Sequence, residues 1–199
     1  MPGVRQRVVA ALALLAGSGW ALASSVTILD AQGQPVANAV VSLQSPQAAK
    51  AVRASPTASL AQRDRQFVPS VLAIPRGTPV QFPNQDTVRH HVYSFSPIKR
   101  FEIKLYVGTP ANPVVFDQAG VAVLGCNIHD DMVAWVVVLD TPYFAITQAN
   151  GVAQLPAAPA DDYVLRVWHA GLPLQTPGHE LALPPASSPP ATLTVRLPG

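Results

Sequence analysis

The chain has 199 residues, enough for one or two domains, with 13 basic and 11 acidic side chains, 21 prolines and a single cysteine. The prolines argue against long helices, and the lone Cys126 rules out an intramolecular disulfide. Two of the basic residues, Arg5 and Arg7, lie at the very start. Without them basic and acidic residues balance, which removes the case for nucleic acid or an anionic membrane surface as a partner. Arg5 and Arg7 precede an apolar run from Val8 to Ala16, and Ala21-Leu22-Ala23 then reads as an A-x-A cleavage site. This is the pattern of a secretory signal peptide spanning residues 1–23, so the mature chain is expected in the periplasm or secreted. The apolar run is well short of the roughly 20 residues a membrane span needs, so no membrane contact is expected after cleavage.

From residue 24 onward the sequence reads as all-β. Val26–Leu29, Val71–Pro75, Val92–Phe95, Val114–Phe116, Val121–Leu124 and Val133–Leu139 are short runs rich in β-branched or aromatic residues, and Leu193–Leu197 is the last of the kind. Gly, Pro, Asn and Asp punctuate them. Residues 47–59, rich in Ala, Ser and Pro, read as a loop or linker. Residues 60–140 form a compact set of strands, a small core that would gain from packing against the rest of the chain. Residues 173–192 are proline-rich.

Chemistry concentrates at Cys126-Asn127-Ile128-His129-Asp130-Asp131-Met132, a C-x2-H-x2-M pattern. A trigonal copper site takes two imidazoles and a thiolate, with a long, weak thioether on its axis. One short loop can present Cys126, His129 and Met132 together, and the second imidazole must come from another strand. A source is at hand in Phe82–Val92, which reads as strand end, loop and strand start and carries His90 and His91. Met is a poor zinc ligand, so zinc fits less well. Neighbours on a strand point to opposite faces, so only one of the two histidines should face a metal.

On these residues the segment from about 66 to 139 resembles the cupredoxins of the plastocyanin and amicyanin group. In those proteins the ligand His follows an Asn-containing loop and opens a strand, and the C-x2-H-x2-M spacing is the short-loop version found in amicyanins. The segment is also similar to bacterial cupredoxins labelled methylamine utilisation proteins, through His90-His91-Val92-Tyr93-Ser94-Phe95 and Cys126-Asn127-Ile128-His129-Asp130. The resemblance implies a Greek-key β-sandwich and one type 1 Cu(I)/Cu(II) ion held by His90, Cys126, His129 and Met132. It also implies that the backbone N–H of His91 serves the thiolate. Two departures stand out: Arg89 replaces the usual Pro, and His91 the usual Asn, which leaves His91 as an alternative ligand.

Two flanking pieces resemble the carboxypeptidase regulatory-like, or transthyretin-like, β-sandwich. One is Val26–Leu43, with Asp30, Gly33-Gln34-Pro35 and Ala39-Val40-Val41. The other is Ile146–Val167, with Thr147, Gly151 and Tyr163-Val164-Leu165-Arg166-Val167. The expected organisation is a discontinuous outer sandwich, residues 24–46 and 141–199, with the cupredoxin segment 60–140 inserted after the 47–59 linker. Alternatively, Val26–Leu43 supplies the first strands of the copper domain itself.

The expected function is one-electron transfer between redox proteins, with no substrate and no enzymatic turnover. The alternative is copper storage, delivery or sensing. Asp130 and Asp131 are either solvated or select a basic partner. His169 reads as a surface or packing residue, and His179 as a solvated residue of the tail. Lys99, Arg100 and Lys104 read as a solvated basic cluster or a docking patch. No Ser-His-Asp set, phosphate loop or paired-carboxylate signal stands out.

Overall fold

The computed structural model describes residues 23–173, 176–185, 187 and 189–198. The expected signal peptide, Ala23 apart, lies outside these residues. Strands β1 (Ser24–Leu29) and β2 (Val40–Gln44) come first, followed by a short helix α1 (Pro46–Ala51). The central run follows: β3 (Ala58–Ser59), β4 (Ala61–Arg63), β5 (Gln66–Val68), β6 (Val71–Pro75), β7 (Thr78–Gln81), β8 (His90–Ser94), β9 (Phe101–Tyr106), β10 (Val114–Phe116), β11 (Gly120–Gly125) and β12 (Val133–Leu139). The chain then returns through β13 (Phe144–Ile146), β14 (Val152–Leu155), β15 (Val164–Trp168), β16 (His179–Ala182) and β17 (Thr192–Arg196).

The expectation of an all-β fold with one sandwich packed against a smaller one holds. The central strands form a five-stranded sheet, β6-β12-β11-β8-β9, and a three-stranded one, β10-β7-β3. Phe82, Phe116, Leu60, Val80, Val92, Leu124 and Val136 fill the core they share. Both chain ends build the outer sandwich, from β14-β1-β17 and β13-β2-β15-β16, around a core that includes Val26, Ile28, Leu43, Leu155, Leu165 and Val167. The segment expected as a loop is partly ordered. Ser45 caps α1 by accepting from the Ala48 N–H at 3.0 Å, and β3 joins β7 in parallel.

The run Val133–Leu139 is apolar almost throughout because both faces of β12 are covered. Ala134, Val136 and Val138 point into the central core, while Val137 and Leu139 pack with Val40, Val71 and Trp168 at the junction of the two sandwiches. The outer sandwich is stitched by Thr147. Its buried hydroxyl accepts from the Ala39 N–H at 2.8 Å and donates to the Val36 carbonyl at 2.7 Å, joining segments more than 100 residues apart. Gly151, four residues later, has φ 75°, and a Cβ there would stand 2.6 Å from the Ile28 carbonyl oxygen. These contacts account for the Thr147 and Gly151 of the flanking motif.

Candidate metal centre

His90 opens β8, and Cys126 directly follows the end of β11. Between β11 and β12 the chain makes two successive turns, and the second is closed by the Met132 N–H donating to the His129 carbonyl at 3.0 Å. The sheet pairs β11 with both β8 and β12, so the start of β8 and the 126–132 loop meet at one end of the sandwich. One ligand-type atom from each of His90, Cys126 and His129 lies within 4.8 Å of the others. The Cys126 sulfur is 3.8 Å from His129 Nδ1, and the rings of His90 and His129 are 5.0 Å apart. Cys126 and Met132 are buried, 3% and 1% exposed, in the central core cluster. His129 is half-buried, and Asp130 and Asp131 beside it are exposed to solvent.

The two histidines of β8 separate cleanly. The Nε2 of His90 donates to Asp86 Oδ2 at 2.7 Å, and its Nδ1 is buried with no hydrogen-bond partner. An orphaned imidazole nitrogen costs free energy unless something coordinates it, and His90 belongs to the group that includes Cys126 and His129. His91 also has a buried Nδ1 without a partner, but its Nε2 is 2.9 Å from Glu102 Oε1 and the residue lies outside that group. Strict alternation does not hold at this point. Pairing between β8 and β9 slips between His90 and Val92, and His90, His91 and Val92 are all buried.

Asp86 is the functional residue that sequence reading did not single out. Burial pushes its carboxyl pKa up, but hydrogen bonds from the Arg65 N–H, the His90 ring and the Asp64 N–H outweigh it and hold the pKa below the usual value. Asp86 therefore stays an acceptor and fixes which ring nitrogen of His90 is left free. The same carboxylate secures the β4–β5 turn, where Asp64 and Arg65 have φ 54° and 56°. Its sequence signal was an acid in the polar loop four residues before His90.

Asn84 clamps this loop. Its amide donates to the carbonyls of Val88 at 2.8 Å and Tyr106 at 2.9 Å, and its Oδ1 accepts from the Asp86 N–H at 2.9 Å. The Tyr106 hydroxyl is 2.8 Å from Gln62 Oε1 and 2.7 Å from the Phe82 carbonyl. Burial, then negative charge on Cys126, drives the Tyr106 pKa far above the ordinary phenol value, so Tyr106 is a neutral donor.

One expectation away from this end changes. His179 is not a solvated residue of the tail: it is half-buried, opens β16 opposite Val167, and stacks on His169 with the rings 6.3 Å apart. Burial, then the neighbouring His179, lowers the His169 pKa. In the basic cluster, Lys99 is 3.1 Å from Asp117, and Lys104 lies exposed on β9.

No protein-family model matches the chain, and no curated protein does. Parts of it resemble solved structures. A purple cupredoxin from Nitrosopumilus maritimus is 26% identical over 41% of this chain and 99% of its own, with a TM-score of 0.38. A variant of amicyanin in its reduced Cu(I) form is 20% identical over 50% of this chain and 98% of its own, with a TM-score of 0.39. A copper-containing nitrite reductase from Thermus scotoductus is 21% identical over 56% of this chain and 28% of its own, also with a TM-score of 0.39.

Proposed function

We propose that the chain is a periplasmic or secreted copper protein that carries single electrons between redox proteins. His90, Cys126 and His129 would hold one ion, with the buried Met132 thioether as a further, weaker donor. The observation that carries this reading is the grouping of His90, Cys126 and His129 within 4.8 Å, with His90 buried and its Nδ1 unpartnered. Two imidazoles, a thiolate and a thioether suit copper better than any hard cation. Bound copper supplies the Cu(I)/Cu(II) couple; the protein's part is to fix the donors. Asp86 orients His90, the paired turns hold Cys126, His129 and Met132, and two strands of one sheet set the spacing between them. Donors placed by the fold change little between oxidation states, which favours electron exchange over release of the ion. In this reading residues 60–140 are the copper-binding body, and the outer sandwich is a carboxypeptidase regulatory-like module.

The test is the visible and electron-spin-resonance spectrum of the copper-loaded chain, with self-exchange measured by NMR line broadening beside copper removal by a Cu(I) chelator. One copper per chain, an intense thiolate charge-transfer band, rapid self-exchange and slow removal are expected. Fast removal with undetectable self-exchange would assign the chain to copper delivery or storage instead.

A further inference from the structure

Resting on that electron-transfer reading, we propose that Tyr93 and Phe95 form a second electron route, running from Cys126 to the surface at Phe95 and separate from the edge of His129. Gly125, covalently next to Cys126, is the residue of β11 that pairs directly with Tyr93. A Cβ on Gly125 would lie 2.7 Å from Tyr93 Cζ and Oη, so the tyrosine ring rests against the backbone bonded to the thiolate residue. Only glycine admits this contact. Phe95 lies just past the end of β8, with its ring 5.1 Å from that of Tyr93, and it is 75% exposed. The Ser96 hydroxyl accepts from the Val123 N–H at 2.8 Å, which ties the chain just after Phe95 back onto β11. A packed aromatic path to an exposed ring is a better medium for electron tunnelling than a gap filled by water. The step is balanced by one electron leaving the metal and arriving at a one-electron oxidant at residue 95. No bond forms or breaks, and no proton moves.

The test uses the full copper-loaded chain with a ruthenium polypyridyl photo-oxidant on an introduced thiol, in Pro97→Cys, exposed two residues beyond Phe95, or, for comparison, in Ile128→Cys, whose native side chain is 46% exposed next to His129. Cys126 is buried and does not compete for the label. Adding Tyr93→Leu or Phe95→Leu should slow photo-triggered transfer from position 97 by roughly tenfold or more, while Tyr93→Phe, which keeps the ring, should preserve it. None of these changes should alter the rate from position 128 or the visible band. In the metal-free chain, NMR contacts between the Tyr93 ring and the Gly125 α-protons are expected, and their absence overturns the route. An unchanged rate from position 97 with Tyr93→Leu or Phe95→Leu also overturns it, as does equal slowing at both positions, which would place Tyr93 in the metal site itself. Transfer from neither position would overturn the carrier reading as a whole.

Discussion

The metal end of the central sandwich and the interior of the outer sandwich bury polar groups for different reasons. In the outer sandwich Thr147 is buried to complete backbone hydrogen bonds, and both ends of its hydroxyl are used. At the metal end Asp86, Asn84 and Tyr106 are each hydrogen-bonded, yet the Nδ1 of His90 in their midst is left without a partner. One region satisfies itself, and the other is complete only when something outside the polypeptide takes the remaining lone pair. The His91 Nδ1 beside it is also buried without a partner, so the comparison teaches that an open valence indicates a ligand where it sits on a residue grouped with other donors, as His90 is with Cys126 and His129.

The sharpest break in the comparison is at the thiolate. Cys126→Ser removes the soft donor and puts a hydroxyl in its place, so the visible charge-transfer band should vanish while the outer sandwich keeps its stability. Absorption of the copper-loaded variant, read beside thermal unfolding, checks both halves. A variant that keeps the colour would take Cys126 out of the ligand set. Next in size is Asp86→Asn. The amide can still accept a hydrogen bond, but it loses the charge that strengthens His90 as a donor, and copper affinity should fall about 10- to 100-fold. Competition with a chelator of known affinity measures this, and unchanged affinity would reduce Asp86 to a fastener of the β4–β5 turn.

The self-satisfied region gives the opposite result. Thr147→Val leaves the Ala39 N–H and the Val36 carbonyl without their partner in a buried setting. The cost should be about 1–3 kcal/mol in unfolding free energy by denaturant titration, with the copper spectrum unchanged. A loss of copper colour in this variant would show that the two bodies are energetically coupled through the Val40, Val137 and Trp168 junction.

What the sequence could and could not show follows the same division. Val71–Pro75, Val114–Phe116 and Val133–Leu139 were legible to the residue, because buried strands are apolar runs with clear ends. The grouping of His90, Cys126 and His129 was legible because the chemistry of the residues is unusual at any spacing. Asp86 was not, since one acid in a polar loop looks solvated until the fold turns it onto His90. The burial of His91 was hidden because strict alternation assumes a regular ladder, and the β8–β9 pairing slips there. The stacking of His179 on His169 was hidden because a proline-rich composition masks a strand whose partner, β15, lies ten or more residues upstream.

The smallest effect belongs to Ser45, and it refines the contrast because this side chain has a partner on each side. It caps α1 by accepting from the Ala48 N–H and reaches Asp161 on the returning part of the chain. Pro46, the first helical residue, brings no N–H of its own, so the cap has fewer free donors to satisfy. Ser45→Ala removes the cap and should cost about 1 kcal/mol, the usual loss on replacing a capping hydroxyl with a methyl group. The hydroxyl is only part-buried, so water can take over some of its role, and the cost should fall below that of Thr147→Val. The measurement is denaturant unfolding of both variants side by side, with copper affinity as the second readout. Ser45→Ala should leave that affinity unchanged, since α1 packs its buried Ala48 into the outer core and not into the core that holds Cys126 and Met132. If it costs as much as Thr147→Val, the α1 corner belongs with the tightly buried stitching of the outer sandwich.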